Sequence, residues 1–406
     1  MEATLYQQSY LPGIYGVAIL AVYMTIIRLL RFRRVRGMKL SDVESDPSAV
    51  FRKTVLYEFP FTCHKAVEFL LIRSFGLPSA SAVFFKSRSF VHPGKRYDDT
   101  DLLLREYFEN GTHSARANTS VARVNAIHAV FSKEISNADM LYVLALFATL
   151  PAVLIDRLEW RCCTNVEKAA FLAHYQIYGE RLGIVGGREW KTWDDARAFA
   201  QAYEAKYYQH SEAAEELLDQ NMDLLLSSVP SFLKPFGRKA VIALMDPPLL
   251  KALGSSEAPL FLKWFVNGAL SLRAMILLFL APPRVFPLRR TPSSRGGDAP
   301  FGCPMVTSTP GGVPPEAHVV PGDADVKRVP RFSQFHDVKQ GCLFYKDGYQ
   351  IKNVGTRKCP AGRLMRNDVP VFTGTGSGGS ATNMSAKRTT TIVGGDPVSA
   401  ATKKAA

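Results

Sequence analysis

The chain has 406 residues, 47% of them hydrophobic, enough to bury a substantial core, which excludes a wholly disordered protein. Its formal charge of +14 at pH 7 raises nucleic acid as a partner, yet much of the excess is local, in Arg28, Arg31, Arg33, Arg34, Arg36 and Lys39 and in the tail. With no recognition helix, zinc finger or aromatic-basic sheet pattern beside it, nucleic acid is set aside and an anionic membrane surface is the expected partner.

Residues 1–10 carry no Lys or Arg, and residues 11–30 (L-P-G-I-Y-G-V-A-I-L-A-V-Y-M-T-I-I-R-L-L) are nearly all apolar. At about 1.5 Å per residue that run spans roughly 30 Å, the thickness of a bilayer core. The basic cluster R-F-R-R-V-R-G-M-K follows the run, whereas a cleaved signal peptide has its charges in front. A single-pass transmembrane anchor over 11–30 is expected. The positive-inside rule puts residues 1–10 on the lumenal side and the rest in the cytosol, so Asn110-Gly-Thr112 and Asn118-Thr-Ser120 should stay unglycosylated. Residues 31–54 read as a basic juxtamembrane lead-in, polar from about 40.

From 55 to 285 the apolar spacing is helical, and strand-like alternation is scarce. Helices are expected over 62–74, 98–109, 115–133, 137–158, 164–182, 192–208, 211–227, 236–244 and 258–280, giving a single large all-α bundle. Asn137-Ala-Asp139 and Thr164-Asn-Val-Glu167 mark helix starts, the second as a capping box. Residues 140–155 are apolar but short for a span and contain Pro151, which suits a buried core helix. Residues 258–283 carry Lys263, Asn267 and Arg273; a bundle helix is expected there, with an interfacial amphipathic helix as the alternative. A Pro/Gly-rich linker follows over 286–340. Residues 341–362 read as a short ordered return with a hairpin about Asp347-Gly348, and 363–406 as a disordered tail.

The six cysteines (Cys63, Cys162, Cys163, Cys303, Cys342, Cys359) include no C-x-x-C pair, so free thiols in a reducing compartment are expected and a structural zinc is not. Chemistry concentrates between residues 95 and 161. In V-A-R-V-N-A-I-H-A-V-F, Val121, Val124, His128 and Phe131 share one helical face. An imidazole on an apolar stripe is either a hydrogen-bonded core residue or a ligand to something buried. Arg96 and Thr100 lie one turn apart on one face, and Arg123 lies on a neighbouring flank of the His128 helix. Two guanidinium groups, a hydroxyl and an imidazole beside apolar surface suit a cofactor with an apolar body and an anionic rim, as haem has. The rival reading pairs Arg96 and Arg123 with Asp98, Asp99 or Asp101 on a solvated face.

The ordered set E-F-P-F (Glu58–Phe61), I-R-S-F-G-L-P-S (Ile72–Ser79), K-R-Y-D-D-T (Lys95–Thr100), R-V-N-A-I-H (Arg123–His128), D-M-L-Y-V-L-A-L-F-A (Asp139–Ala148), E-W-R (Glu159–Arg161) and Y-E-A-K-Y (Tyr203–Tyr207) resembles the endoplasmic-reticulum-bound oxygenases of the MpaB type, which share a catalytic domain with latex-clearing rubber oxygenases. The resemblance covers roughly 55–285, with a weaker echo near 344–360. It implies a b-type haem and dioxygen-dependent cleavage of an isoprenoid or terpenoid double bond at the endoplasmic reticulum membrane. It also implies His128 as proximal iron ligand, with Arg96 and Thr100 lining the haem site. Arg123 would orient the ligand or bind a propionate. This sequence departs from the rubber-cleaving members in one respect: Asp99 stands where they carry a lysine, which makes Asp99 the candidate distal acid or base.

Two rivals stay open: a membrane-tethered helical scaffold without catalysis, and a peroxide-dependent haem enzyme. G-T-R-K-C-P (Gly355–Pro360) partly resembles the cysteine loop of thiolate-ligated monooxygenases, but no E-x-x-R accompanies it. Gly186-Gly187 reads as a turn and not a phosphate loop, and neither G-x-S-x-G nor G-x-x-x-x-G-K-[ST] occurs. Glu159 and Arg161, two residues apart, point different ways and are expected to pair with other elements.

Overall fold

The apolar run and the basic cluster behind it form one continuous helix, α1 (Glu2–Arg36), in the computed structural model, which describes residues 2–87, 93–227, 229–291 and 354. From Ile14 to Ile26 its side chains are largely exposed; burial begins at Ile27 and Arg31, where the helix meets the rest of the protein. Then follow α2 (Leu40–Ser45), α3 (Pro47–Lys53), a π-turn (Thr54–Glu58), α4 (Pro60–Phe75), α5 (Pro78–Lys86), α6 (Pro93–Phe108), α7 (Ala115–Ala129), α8 (Asn137–Leu158), α9 (Asn165–Arg181), α10 (Trp193–Tyr207), α11 (Glu212–Leu225), α12 (Lys234–Ile242), α13 (Pro247–Ala252) and α14 (Leu260–Phe279). No strand occurs among the described residues, and the fold is an all-α bundle.

Apolar patterning decides the centre. α8 is buried along most of its length and packs against α4, α9 and α10. Pro151 is tolerated there because the helix is held by its neighbours on several sides. Gly179 lets α9 approach closely: a Cβ at that position would fall 2.4 Å from Leu144 Cδ2 on α8. The Thr164 capping box forms as its sequence implies, with Thr164 N donating to Glu167 at 2.9 Å and Glu167 N donating to Thr164 Oγ1 at 3.2 Å. The cap of α8 is Ser136, one residue ahead of the expected start, its Oγ accepting from Asp139 N at 3.0 Å.

The lead-in is more than a polar connection. α3 buries Val50 and Phe51 against α9; Phe51 stacks on His174 with ring centroids 3.8 Å apart, and Ser48 Oγ lies 3.0 Å from His174 Nδ1. Burying one such phenylalanine contributes about 1.5–3 kcal/mol. Seven residues are too few to show a helical period, so the sequence hid it.

Glu159 and Arg161 go separate ways. Glu159 accepts from Thr62 Oγ1 at 2.6 Å and from Arg273 at 3.2 Å, while Arg161 pairs with Glu167 at 2.7 Å and Glu58 at 3.5 Å. Cys63, Cys162 and Cys163 are free thiols. Three described helices are long and apolar enough to cross a membrane: 14–36 of α1, α8 and α14. Burial separates them, since α8 is a core helix whereas α1 and α14 are mostly uncovered. α14 packs on the bundle by the side that carries Leu262 and Val266, and its other side is uncovered. The Pro/Gly-rich stretch from 292, the expected hairpin other than Val354, the tail, and Cys303, Cys342 and Cys359 lie outside the described residues.

Candidate active site

α6 and α7 form one wall of an apolar cavity. Ser114 caps α7 by accepting from Ala117 N at 3.1 Å, and Ser120 Oγ donates to the Leu103 carbonyl of α6 at 2.6 Å, which fixes the two helices in register. The far flank of α6 is held just as firmly. Asp101 accepts from Arg105 Nε at 2.8 Å and from Arg290 at 2.6 Å, and Arg105 also donates to Glu109 at 2.7 Å. Asp101 is driven well below the ordinary carboxylate range: burial opposes its charge, but Arg105, His64 and Arg290 outweigh it. Asp101 thus pairs along α6 with Arg105 and across to Arg290, not with Arg96 or Arg123 as the rival reading had it.

The cavity holds about 270 Å³ of space, close to the lower end of the roughly 300–1,000 Å³ of an ordinary small-molecule site. All five residues singled out in the sequence line it: Arg96, Asp99 and Thr100 from α6, Arg123 and His128 from α7. Arg96 donates to Thr100 Oγ1, and its guanidinium sits 5.8 Å over the ring of Phe84. Arg123 is almost fully buried, with Nε donating to the Val354 carbonyl at 2.7 Å. His128 is half-buried, in the last turn of α7, and the surface it keeps lines the cavity. Burial, with the Arg96 charge second, pulls its pKa down to about 4. A helix C-terminus favours an imidazolium by only about 0.3–1 kcal/mol, so desolvation wins and the ring is neutral at pH 7.

Sequence reasoning missed the opposite wall. α5, not expected as a helix, contributes Ala80, Val83 and Phe84, and α8 contributes Val143 and Phe147. Pro78 at the first helical turn ahead of V-F-F was the available signal. Asp139 and Glu134 add two further carboxylates to the lining, the first accepting from Tyr203 at 2.8 Å and the second paired with Lys86.

Fold and site together define an all-α protein that presents one neutral imidazole and two guanidinium groups to an apolar cavity. Residues 71–275 match the family described as ER-bound oxygenase mpaB/B'/rubber oxygenase, catalytic domain. The ER-bound oxygenase mpaB' of Penicillium brevicompactum is 32% identical over 295 residues, covering 66% of this chain and 70% of that protein. The ER-bound oxygenase mpaB of Penicillium roqueforti is 32% identical over 267 residues, covering 59% and 89%. A solved structure of latex clearing protein in the closed state aligns over 68% of this chain and 84% of its own, with 17% identity and a TM-score of 0.41. The chain belongs to the mpaB and rubber oxygenase catalytic-domain family, and it is an oxygenase.

Proposed function

We propose that the chain is a membrane-anchored, haem b-dependent oxygenase that cleaves a carbon–carbon double bond of a prenyl or terpenoid chain with dioxygen. The observation that carries this reading is the wall on which Arg96, Thr100, Arg123 and His128 meet, inside an otherwise apolar cavity. The residues fit the cofactor. Among the described residues no three His, Cys, Asp or Glu side chains converge on a bare metal ion, but a single imidazole would suit an iron that arrives within a macrocycle. His128 would hold the iron; Arg96, Thr100 and Arg123 would take the anionic rim. When bound, haem would supply the activation of dioxygen.

The protein's own part is positioning. Because His128 is neutral at pH 7, its lone pair is available without first losing a proton. The bond between Arg123 Nε and the Val354 carbonyl fixes the direction of that guanidinium. Asp99, on the same wall and buried, is the carboxylate suited to hold and return a proton at its Oδ atoms beside the reacting oxygen. An isoprenoid double bond offers no charge to grip, so the apolar walls from α5 and α8 would select it by shape and exclude water. Both atoms of one dioxygen end in the product, one on each former alkene carbon, and no external reductant is consumed.

A lipophilic substrate concentrates in a bilayer, and the apolar 14–30 stretch with the basic residues behind it supports single-pass anchoring in the endoplasmic reticulum membrane with the catalytic domain cytosolic. The test is an absorption spectrum of the purified protein with and without dithionite, followed by incubation with a farnesylated aromatic under labelled dioxygen. The expected result is a Soret band that His128→Ala abolishes and a shortened chain bearing labelled carbonyl oxygen. Hydroxylation alone, or label entering only from water, would refute the cleavage reading. An unaltered spectrum in His128→Ala would refute the ligand.

A further inference from the structure

α14 is inverted relative to a helix on a soluble surface. Its bundle-facing side carries Leu262 and Val266 together with the polar groups: Asn267 accepts from Arg157 at 3.3 Å, and Arg273 reaches the buried Glu159 and lies over the ring of Phe61. The outward side shows Leu260, Phe261, Trp264, Phe265, Leu272 and Met275, recurring at helical spacing with no charge among them. Phe236 of α12 packs edge-on against Phe265 and extends the surface. An uncharged apolar face of this size marks an interaction site.

Its covering partner follows from what it adjoins. α14 ends against α1: Tyr23 Oη donates to the Leu280 carbonyl at 2.8 Å, and Arg31 donates to the Ala281 carbonyl at 2.8 Å. Eight residues of helix separate Tyr23 from Arg31, about 12 Å along the axis. The end of α14 therefore lies level with the apolar part of the expected anchor, and any bilayer that takes α1 as far as Leu30 reaches it. The same two side chains satisfy carbonyls that the end of α14 leaves without helical partners, as a low-dielectric setting requires. Exposed Arg28, Arg33 and Arg36 on α1 supply the positive rim for anionic headgroups.

We propose that α14 lies in the plane of the membrane interface, its Phe261–Met275 face immersed in the headgroup and upper acyl region, as a second contact that holds the catalytic bundle against the bilayer. This rests on the reading of α1 as an anchor.

The sequence contains its own probe. Of the four tryptophans, Trp264 is 80% exposed while Trp160, Trp190 and Trp193 are 7%, 7% and 6% exposed. Full-length protein and Trp264→Phe would be reconstituted in phosphatidylcholine–phosphatidylserine vesicles carrying a spin label at a shallow or a deep acyl position. The difference emission between the two proteins isolates Trp264. The expected result is strong quenching by the shallow label and weaker quenching by the deep one, matching an immersion of about 5–10 Å. Carbonate extraction of the same vesicles reads α1 independently. Retention in the pellet with Trp264 untouched by either label overturns the docking proposal and leaves the anchor standing. Release by carbonate overturns the anchor, and the quenching pattern alone then decides α14. Stronger quenching by the deep label overturns the in-plane placement. A dimer in detergent that Phe261→Glu dissociates, with Trp264 unquenched in vesicles, assigns the face to a second copy and likewise overturns the proposal.

Discussion

Acid should expose how His128 is held. Its imidazole stays neutral down to about pH 4 where an ordinary histidine protonates near 6.5. At about 1.36 kcal/mol per pH unit, that resistance corresponds to roughly 3 kcal/mol. The folded value is the depressed one, so the unfolded chain takes up its proton first as pH falls. The contribution is complete above 6.5 and is lost progressively down to about 4. His174, which burial and the Arg52 charge pull down to about 3, loses stability over the same range and must be separated from it. The comparison of wild type with His128→Gln does so, because His174 is common to both and glutamine does not titrate. Urea unfolding of the protein free of any prosthetic group, followed by circular dichroism in detergent at pH 7 and pH 4, should show a fall in stability about 3 kcal/mol smaller in the variant. An equal fall in both proteins would mean that His128 is protonated as freely in the fold as in the unfolded chain. The neutral, ligand-ready imidazole of the proposed site would then be wrong.

Gly179→Ala puts a methyl group 2.4 Å from Leu144 Cδ2 and should lower stability by about 1–3 kcal/mol through overpacking; an unchanged denaturation midpoint would show that α8 and α9 are not locked there. Asp101→Asn leaves Arg105 and Arg290 short of a buried carboxylate, and a loss of about 3 kcal/mol is expected, at the low end for a broken buried pair because Glu109 still serves Arg105. Chemical denaturation at neutral pH measures it, and a stable variant would contradict the network. Asp99→Asn should keep the Soret band while product formation falls by about a hundredfold, and full activity would remove Asp99 from proton handling.

The class of fold and the centre of the site were legible because both are periodic. α8, α9 and α10 repeat apolar residues every third or fourth position for three or more turns, and the Thr164–Glu167 box marks its own helix start. His128 stood out as an imidazole on such a stripe, and spacing alone put Arg96 one turn from Thr100. The meeting of α6 with α7 was a different matter. It depends on Ser120 reaching the Leu103 carbonyl and on Arg290 reaching Asp101 on the other flank, bonds between residues 17 and 189 positions apart that no local pattern encodes.

Short helices were invisible for the same reason. α3 and α5 are only seven and nine residues long, yet one buries Phe51 against His174 and the other brings Phe84 beneath Arg96. The face that α14 shows to its surroundings was equally undetermined, since its composition suits a bundle core or a bilayer alike. By itself the sequence determined a helical, apolar-cored chain with an anchor-like first helix and a histidine fit for a buried ligand, because helical periods and hydrophobic runs are properties of neighbouring residues. Tertiary structure alone decided which helices share a wall and which side of α14 stays bare, because those outcomes depend on packing between distant segments competing for the same buried surface.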